Sequence, residues 1–143
     1  MTGRENIFSA LFSLVSGVPG LVTTSRRLVM WTDVLPEQQP ALYQAQRNQH
    51  SQPRPAGLPL KWTLLADLYL YVNCGGDPQA LAAPLLNNFL DAIEAALAPP
   101  VGKPFQTLGD LVQHCWICGE VITDEGTLGA QAVAIIPIEI LTV

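Results

Sequence analysis

The chain has 143 residues, of which 49% are hydrophobic and only 13% are charged, and its formal net charge is −5. This length suits one domain with a substantial core, so we expect residues 1–143 to form a single domain. Because the net charge is negative, the chain as a whole lacks the clustered lysine and arginine that bind nucleic-acid phosphates regardless of sequence. This argues against nucleic-acid binding as the main activity. An ordinary soluble domain carries about 25% charged residues, so we expect other subunits to cover part of this surface.

Membrane insertion and secretion are both poor interpretations of the sequence. No run of about 20 apolar residues is present to cross a bilayer. The apolar N-terminal segment fits a helix better than a signal peptide, because Arg4 is followed at once by Glu5. The three cysteines are an odd number, which favours a reducing cytoplasm over a disulfide framework.

The N-terminal part of the chain predicts a helix and then a strand. Thr2 and Glu5 have the spacing of a capping box, and apolar residues recur after them at helical intervals, so we expect a helix over about Arg4–Ser16. The β-branched and aromatic residues of Thr23–Trp31 predict the first strand, and residues 33–40 connect it to the next one.

Two further strands and the loop between them predict a hairpin. Ala41–Gln49 predicts a strand polar enough to face solvent or a partner, and segment 50–59, with three prolines, predicts an exposed hairpin tip. Lys61–Asn73 alternates with period two, so we expect one of its faces to be buried. That face consists of Trp62, Leu64, Ala66, Leu68, Leu70 and Val72. The opposite face, which includes Tyr69 and Tyr71, is too apolar for open water, and we expect something to cover it in part.

A second helix is expected after the hairpin. Asp77 and Pro78 supply an N-cap and a first-turn proline, and the helix should run to about Ala98. Its apolar stripe, which should face a sheet, consists of Leu81, Leu85, Phe89, Ile93 and Leu97.

Two strands are predicted to complete the chain, over Leu111–Thr123 and Ala130–Leu141. Pro137 removes a hydrogen-bond donor from the last strand, which favours an edge position or a bulge there. The order α-β-β-β-α-β-β predicts an α+β fold, with a mostly antiparallel β-sheet and two α-helices packed on it.

The stretch His114–Gly119, HCWICG, is the strongest candidate for chemistry. Residues three apart on a strand point to opposite faces, and a structural zinc site needs four ligands, usually from two such cysteine pairs. A redox C-x-x-C normally stands at a helix N-terminus, whereas strand-like residues follow here. We therefore favour packed structural cysteines, and a small zinc-binding or thiol-redox domain using Cys115 and Cys118 stays as the alternative from another class. No phosphate-binding loop or catalytic histidine pairing is indicated, so we expect no enzyme activity, no metal and no cofactor.

Several stretches carry a resemblance to a known family. They are QPALY at residues 39–43, LNNFLDAIEAAL at 86–97, TLG at 107–109 and 127–129, and IPIEIL at 136–141. In these and in the order of its elements, from about Arg4 to Leu141, the chain resembles the tail terminator family of small tail-completion proteins from long-tailed bacteriophages. The resemblance implies an α+β subunit that forms a hexameric ring on the tail tube, halts tube polymerisation and presents a surface to the head connector.

The resemblance also implies partners and a location. The partners would be copies of the chain, the phage tail tube protein and the head-tail connector protein, at the head-proximal end of the virion tail after assembly in the host cytoplasm. DNA would pass through the channel without specific binding, because six copies would carry a charge of about −30 and repel it. No membrane partner is expected.

Seven residues are candidates for the interface with a neighbouring subunit or the tube. They are Arg26, Arg27, Trp31, Arg47, Arg54, Tyr69 and Tyr71. Arg26 and Arg27 are expected to donate ion pairs to an acidic neighbour, although a solvated surface pair is an equally good interpretation. Within virion proteins, another neck or head-to-tail joining component is the alternative function.

Overall fold

A computed structural model describes residues 3–143, and the predicted capping residue Thr2 lies outside that range. The chain forms two helices, α1 (Arg4–Ser16) and α2 (Ala83–Ala96). The strands are β1 (Thr23–Ser25), β2 (Ala41–Gln52), β3 (Lys61–Asn73), β4 (His114–Ile117), β5 (Ile122–Glu125) and β6 (Gln131–Leu141). Neither helix of the described chain has the length and apolar character that a membrane crossing requires.

All six strands belong to one sheet, in the order β1-β2-β3-β6-β4, with β5 also paired to β6. The short β1 runs parallel to β2, and every other pairing is antiparallel. The predicted α+β fold with a mostly antiparallel sheet is therefore confirmed, as is the predicted order of its elements.

Both helices contribute to a core on one face of the sheet. The predicted apolar face of β3 forms the centre of that core, since Leu64, Ala66, Leu68, Leu70 and Val72 have no exposed surface. From the helices come the buried side chains Ile7, Phe8, Leu11 and Val15 of α1 and Leu86, Phe89 and Ile93 of α2. We call this side of the sheet the helix face.

The start of α2 differs from the prediction. The helix begins at Ala83 instead of Asp77, and Asp77 accepts a hydrogen bond from the Gln79 backbone N–H in a preceding turn. The physical reason is Pro84: deep inside a helix it would remove a backbone donor and clash with the previous turn, so it is tolerated only in the first turn. Leu81 consequently lies outside the helix and is 68% exposed, so its assignment to the buried stripe was wrong.

The first predicted strand is also shorter than expected. It ends at Ser25, and Trp31 begins a 3-10 turn instead of belonging to a strand. Residues 26–40 leave the sheet edge and pass over its second face, where Val34 is buried against the sheet. The hairpin strand β2, by contrast, continues to Gln52, so that the exposed tip comprises residues 53–60.

The predicted strand Leu111–Thr123 is divided into β4 and β5, which pair with different halves of β6. The break lies opposite Pro137, where the missing N–H leaves no donor for a partner strand. Gly119 adopts a φ of 105° in the break. An edge position for Pro137 was wrong, because β6 lies between β3 and the β4–β5 pair.

Candidate functional site

The second face of the sheet, opposite the helices, is covered at one end only. Val34 packs there against Ala41, Tyr43 and Tyr71, and Val29 lies beside them. The Tyr71 hydroxyl donates a hydrogen bond of 2.9 Å to the backbone carbonyl of Val29. Burial, with smaller effects from neighbouring tyrosines, raises the pKa of Tyr71 to about 12. The passing segment is therefore fastened to this end of the face by both packing and a hydrogen bond.

The rest of the second face has no such cover from the described chain. We call this surface the open sheet face and define it by Leu65 and Tyr69 of β3 and Ile135, Pro137 and Glu139 of β6. All five side chains are half-buried, and β3 and β6 are neighbours in register, with Tyr69 opposite Ile135 and Leu65 opposite Glu139. Four of the five are apolar or aromatic, so the surface is predominantly apolar with an acid near its edge.

One buried carboxylate lies in the middle of this surface. Asp67 is only 7% exposed, and its register partners are Ala45 on β2 and Pro137 on β6, which have small or apolar side chains. Arg47 supplies its counter-charge across an N–O distance of 3.4 Å. Burial raises the pKa of Asp67 above its ordinary range, and the nearby guanidinium of Arg47 opposes that shift in part.

A shallow groove borders the covered end of the second face. It has a volume of about 230 Å³ and is lined by Trp31, Ile122, Asp124, Leu128, Val133 and Ile135. Trp31 is 38% exposed and Ile122 is 55% exposed, so large apolar side chains reach solvent here. The groove extends the apolar surface of the open sheet face toward β5.

The structure brings four of the seven predicted interface residues to the second face. Arg47, Tyr69, Tyr71 and Trp31 lie on it or in the segment that crosses it. Tyr71, however, is only 3% exposed, because its ring is packed under the crossing segment. Tyr69 and Arg47 remain accessible beside the buried Asp67.

The three other predicted interface residues lie elsewhere. Arg26 makes a 2.6 Å ion pair with Glu5 of α1, so an acidic partner is already present within the chain. Arg27 is exposed next to it, and Arg54 stands in the hairpin tip. Asp67, Ile135 and Glu139 also lie on the second face but are not among the predicted interface residues. The period-two pattern of the last strand does place Ile135 and Glu139 on one face.

The two cysteines of HCWICG point to different surroundings, as alternation along a strand predicts. Cys115 lies on the helix face opposite Ile140, and burial raises the pKa of its thiol to about 12. Cys118 lies beside Glu139, and a hydrogen bond to that carboxylate raises the pKa of its thiol. Both shifts disfavour the thiolate that metal binding and disulfide exchange require. Within residues 3–143, no three His, Cys, Asp or Glu side chains are grouped to hold a metal ion.

Aromatic rings occupy the outer strand next to these cysteines. His114 is stacked on Trp116 with ring centres 4.3 Å apart, and Phe105 approaches His114 at 4.6 Å. β4 is the last strand of the sheet on this side, and its outer edge is paired in part, because the Cys115 backbone N–H donates to the backbone carbonyl of Gln106. The packing gives His114 a structural role in the aromatic row.

Comparison with known proteins adds no family assignment: no protein-family model matches the chain, and no curated protein matches it.

Proposed function

We propose that the chain is a structural subunit that assembles with copies of itself into a closed ring, and that this ring is the tail terminator of a long-tailed bacteriophage. In that role it caps the tail tube, stops tube polymerisation and offers a joining surface to the head connector. The single observation that supports the proposal most is the open sheet face, which exposes a predominantly apolar surface on a chain with few charges.

Self-assembly would remove apolar surface from water. Monomeric soluble proteins rarely leave large contiguous apolar patches exposed, and covering such a patch gains roughly 25 cal/mol for each Å² of apolar surface removed from water. Leu65, Tyr69, Ile135 and Pro137 are half-buried and keep part of their apolar surface in contact with water across two central strands. A closed ring covers it on every subunit, whereas an open chain of subunits would leave one end uncovered.

The proposed activity makes and breaks no bond. A ring that matches the end of the tube would occupy the surface on which the next tube subunit would add, and growth would stop by exclusion. Six copies would carry a charge of about −30, so an acidic channel wall would let DNA slide past without retaining it.

The mass of the native protein in solution tests the first half of the proposal. We expect a single species of several subunits, with six as the family resemblance implies, in analytical ultracentrifugation or native mass spectrometry. A monomer at every soluble concentration would contradict the proposal.

Electron microscopy of particles assembled without the protein tests the second half. Overlong tails are the expected result, because nothing would stop tube growth. Tails of normal length that fail to attach to heads would instead indicate a neck or head-to-tail joining component. A zinc content near one equivalent per chain, or a reversible disulfide between Cys115 and Cys118, would favour the metal or redox alternative.

A further inference from the structure

The charges of the chain are distributed unevenly between its two halves. Of the seven lysine and arginine residues, only Lys103 follows residue 61, whereas nine of the twelve acids lie in residues 62–143. In the fold, the basic half supplies α1, β1, β2 and the hairpin tip, and the acidic half supplies α2 and the β4–β5 edge. One end of the sheet order is therefore basic and the opposite end is acidic.

The hairpin tip, residues 53–60, is a basic and apolar projection. Leu58 is 56% exposed and Leu60 is 48% exposed, and Arg54 lies between two prolines. No acidic residue occurs from residue 48 to residue 66, so the tip and the strand ends next to it carry positive charge only. The β2–β3 pairing reaches Lys61 at this end, and the Thr142 backbone N–H still donates to the Trp62 carbonyl, so the tip follows directly after the sheet.

A mostly apolar groove lies beside α2, on the part of the chain that carries most of the acids. It has a volume of about 550 Å³ and lies between the C-terminal half of α2 and the break between β4 and β5. Its lining includes Leu90, Leu97, Pro99, Trp116 and Val121, with Glu94 as its one charged residue. Glu94 is exposed, and the exposed Glu120 stands next to Val121 in the chain.

These two surfaces complement each other in polarity and in charge. We propose that the hairpin tip of one subunit docks in the α2–β4 groove of the next copy, with Arg54 facing Glu94 and with Leu58 and Leu60 against the apolar lining. This inference rests on the proposed self-assembly and adds a contact on the helix side of the sheet to the proposed covering of the open sheet face. The occupant of the groove is thus a second copy of this chain.

The tip and the groove are different patches of the subunit, so the contact can be made head to tail. A two-fold interface that used it would need both tips to reach both grooves at once, because residue i then contacts residue j in both directions. A head-to-tail contact needs one tip and one groove at each interface and also places opposite charges together. Repeated contacts of this kind generate a ring when the rotation closes.

The prolines of the tip favour docking for two reasons. Pro53, Pro55 and Pro59 restrict the free loop, so less conformational entropy is lost when it is held in a groove. They also lack backbone N–H groups, so fewer polar donors must be stripped of water on entry into an apolar groove.

A charge-exchange experiment on the full chain tests the contact. Arg54→Glu and Glu94→Lys change exposed or half-buried side chains outside the core, so both variants should fold. Each places like charges at the interface, and we expect each to raise the concentration needed for assembly about tenfold in sedimentation equilibrium. The double variant restores opposite charges in exchanged positions and should assemble within about threefold of the wild type.

Asp91→Lys is the matched control. It makes an equal charge change at an exposed position of the same helix that is not part of the groove lining, and it should assemble as the wild type does.

The possible results distinguish a failure of this contact from a failure of the proposed function. If the wild-type chain never self-associates, the proposed function fails and this contact fails with it. If the wild type assembles but the single variants assemble equally well, or if the double variant is no better than either single one, only the tip-and-groove contact is overturned. Replacing Leu58 and Leu60 together by Ser gives a second measurement, and unchanged assembly of that variant would also overturn the contact.

Discussion

The two faces of β3 differ in how completely they are buried. On the helix face, Leu64, Leu68 and Leu70 have no exposed surface, and both helices contribute to the core around them. On the opposite face, Leu65 and Tyr69 are half-buried and Asp67 has a single charged partner. Because successive strand residues point to opposite sides, one segment of sequence faces two different environments.

The comparison separates the part of the chain that holds the fold together from the part that is available to a partner. Leu64, Leu68 and Leu70 are completely buried within one subunit, so their contribution to stability does not depend on assembly. The open sheet face still has apolar surface in contact with water, so its contribution should appear only when another molecule covers it. Stability and assembly should therefore respond to different substitutions on the same strand.

The largest effect is expected from Leu68→Ala compared with Leu65→Ala. Leu68 is fully buried, so its truncation leaves a cavity and should lower the free energy of unfolding by about 2–5 kcal/mol. Leu65 is half-buried on the open sheet face, and its truncation should cost the monomer less than about 1.5 kcal/mol while weakening self-association. Denaturant unfolding at low protein concentration and sedimentation equilibrium measure the two quantities. Equal losses of stability in the two variants would contradict the division between the faces.

A smaller effect is expected at the covered end of the second face. Tyr71→Phe removes the hydroxyl that donates to the Val29 carbonyl while it keeps the ring in place, and it should lower the free energy of unfolding by about 1 kcal/mol. Tyr69→Phe is the matched control, because no hydrogen bond from the Tyr69 hydroxyl occurs within residues 3–143. Denaturant titration of both variants should distinguish them, and indistinguishable midpoints would mean that the crossing segment is held by packing alone.

Much of the helix face could be predicted from sequence because periodicity alone specifies it. The alternation of Lys61–Asn73 and the repeat of α1 each identify a buried side without knowledge of the partner element. The predicted start of α2 was wrong because it rested on Asp77 as the N-cap and Pro78 as the first-turn proline, whereas Pro84 occupies the first helical turn. The same local signal thus occurs twice in the sequence, and the structure uses the second.

The second face could be predicted only in part because its cover comes from a segment without a regular repeat. Residues 26–40 contain two 3-10 turns, and neither apolar period identifies Val34 as the residue that packs on Tyr71. The position of Asp67 in the middle of the face follows from β3 alone, but its burial depends on Ala45 and Pro137 from two other strands. Such a site depends on strand register, which a single sequence pattern does not give.

The smallest effect should be the pH dependence of Asp67→Asn, and it carries the most information about the open sheet face. Burial raises the pKa of Asp67 in the folded state, so the wild type loses stability as pH rises through that folded pKa, because the charged form must be held away from water. Well below the unfolded-state pKa of about 3.9 the carboxyl is neutral in both states, and no such loss exists. Relative to the wild type, Asp67→Asn should therefore gain stability between acid and neutral pH, by well under about 1 kcal/mol because the ionised form also keeps its attraction to Arg47.

Glu5→Gln is the control of opposite sign for Asp67→Asn. Hydrogen bonds from Arg26 hold the pKa of Glu5 below its ordinary range, so its contribution to stability is present at neutral pH and is lost as pH falls through the folded pKa. The Gln variant should therefore be less stable than the wild type at neutral pH, and the difference should vanish in acid and shrink in high salt because the pair is exposed. Parallel thermal unfolding across pH for the two variants would show slopes of opposite sign relative to the wild type. Slopes of the same sign would mean that the attraction of Arg47 stabilises ionised Asp67 more than its burial destabilises it.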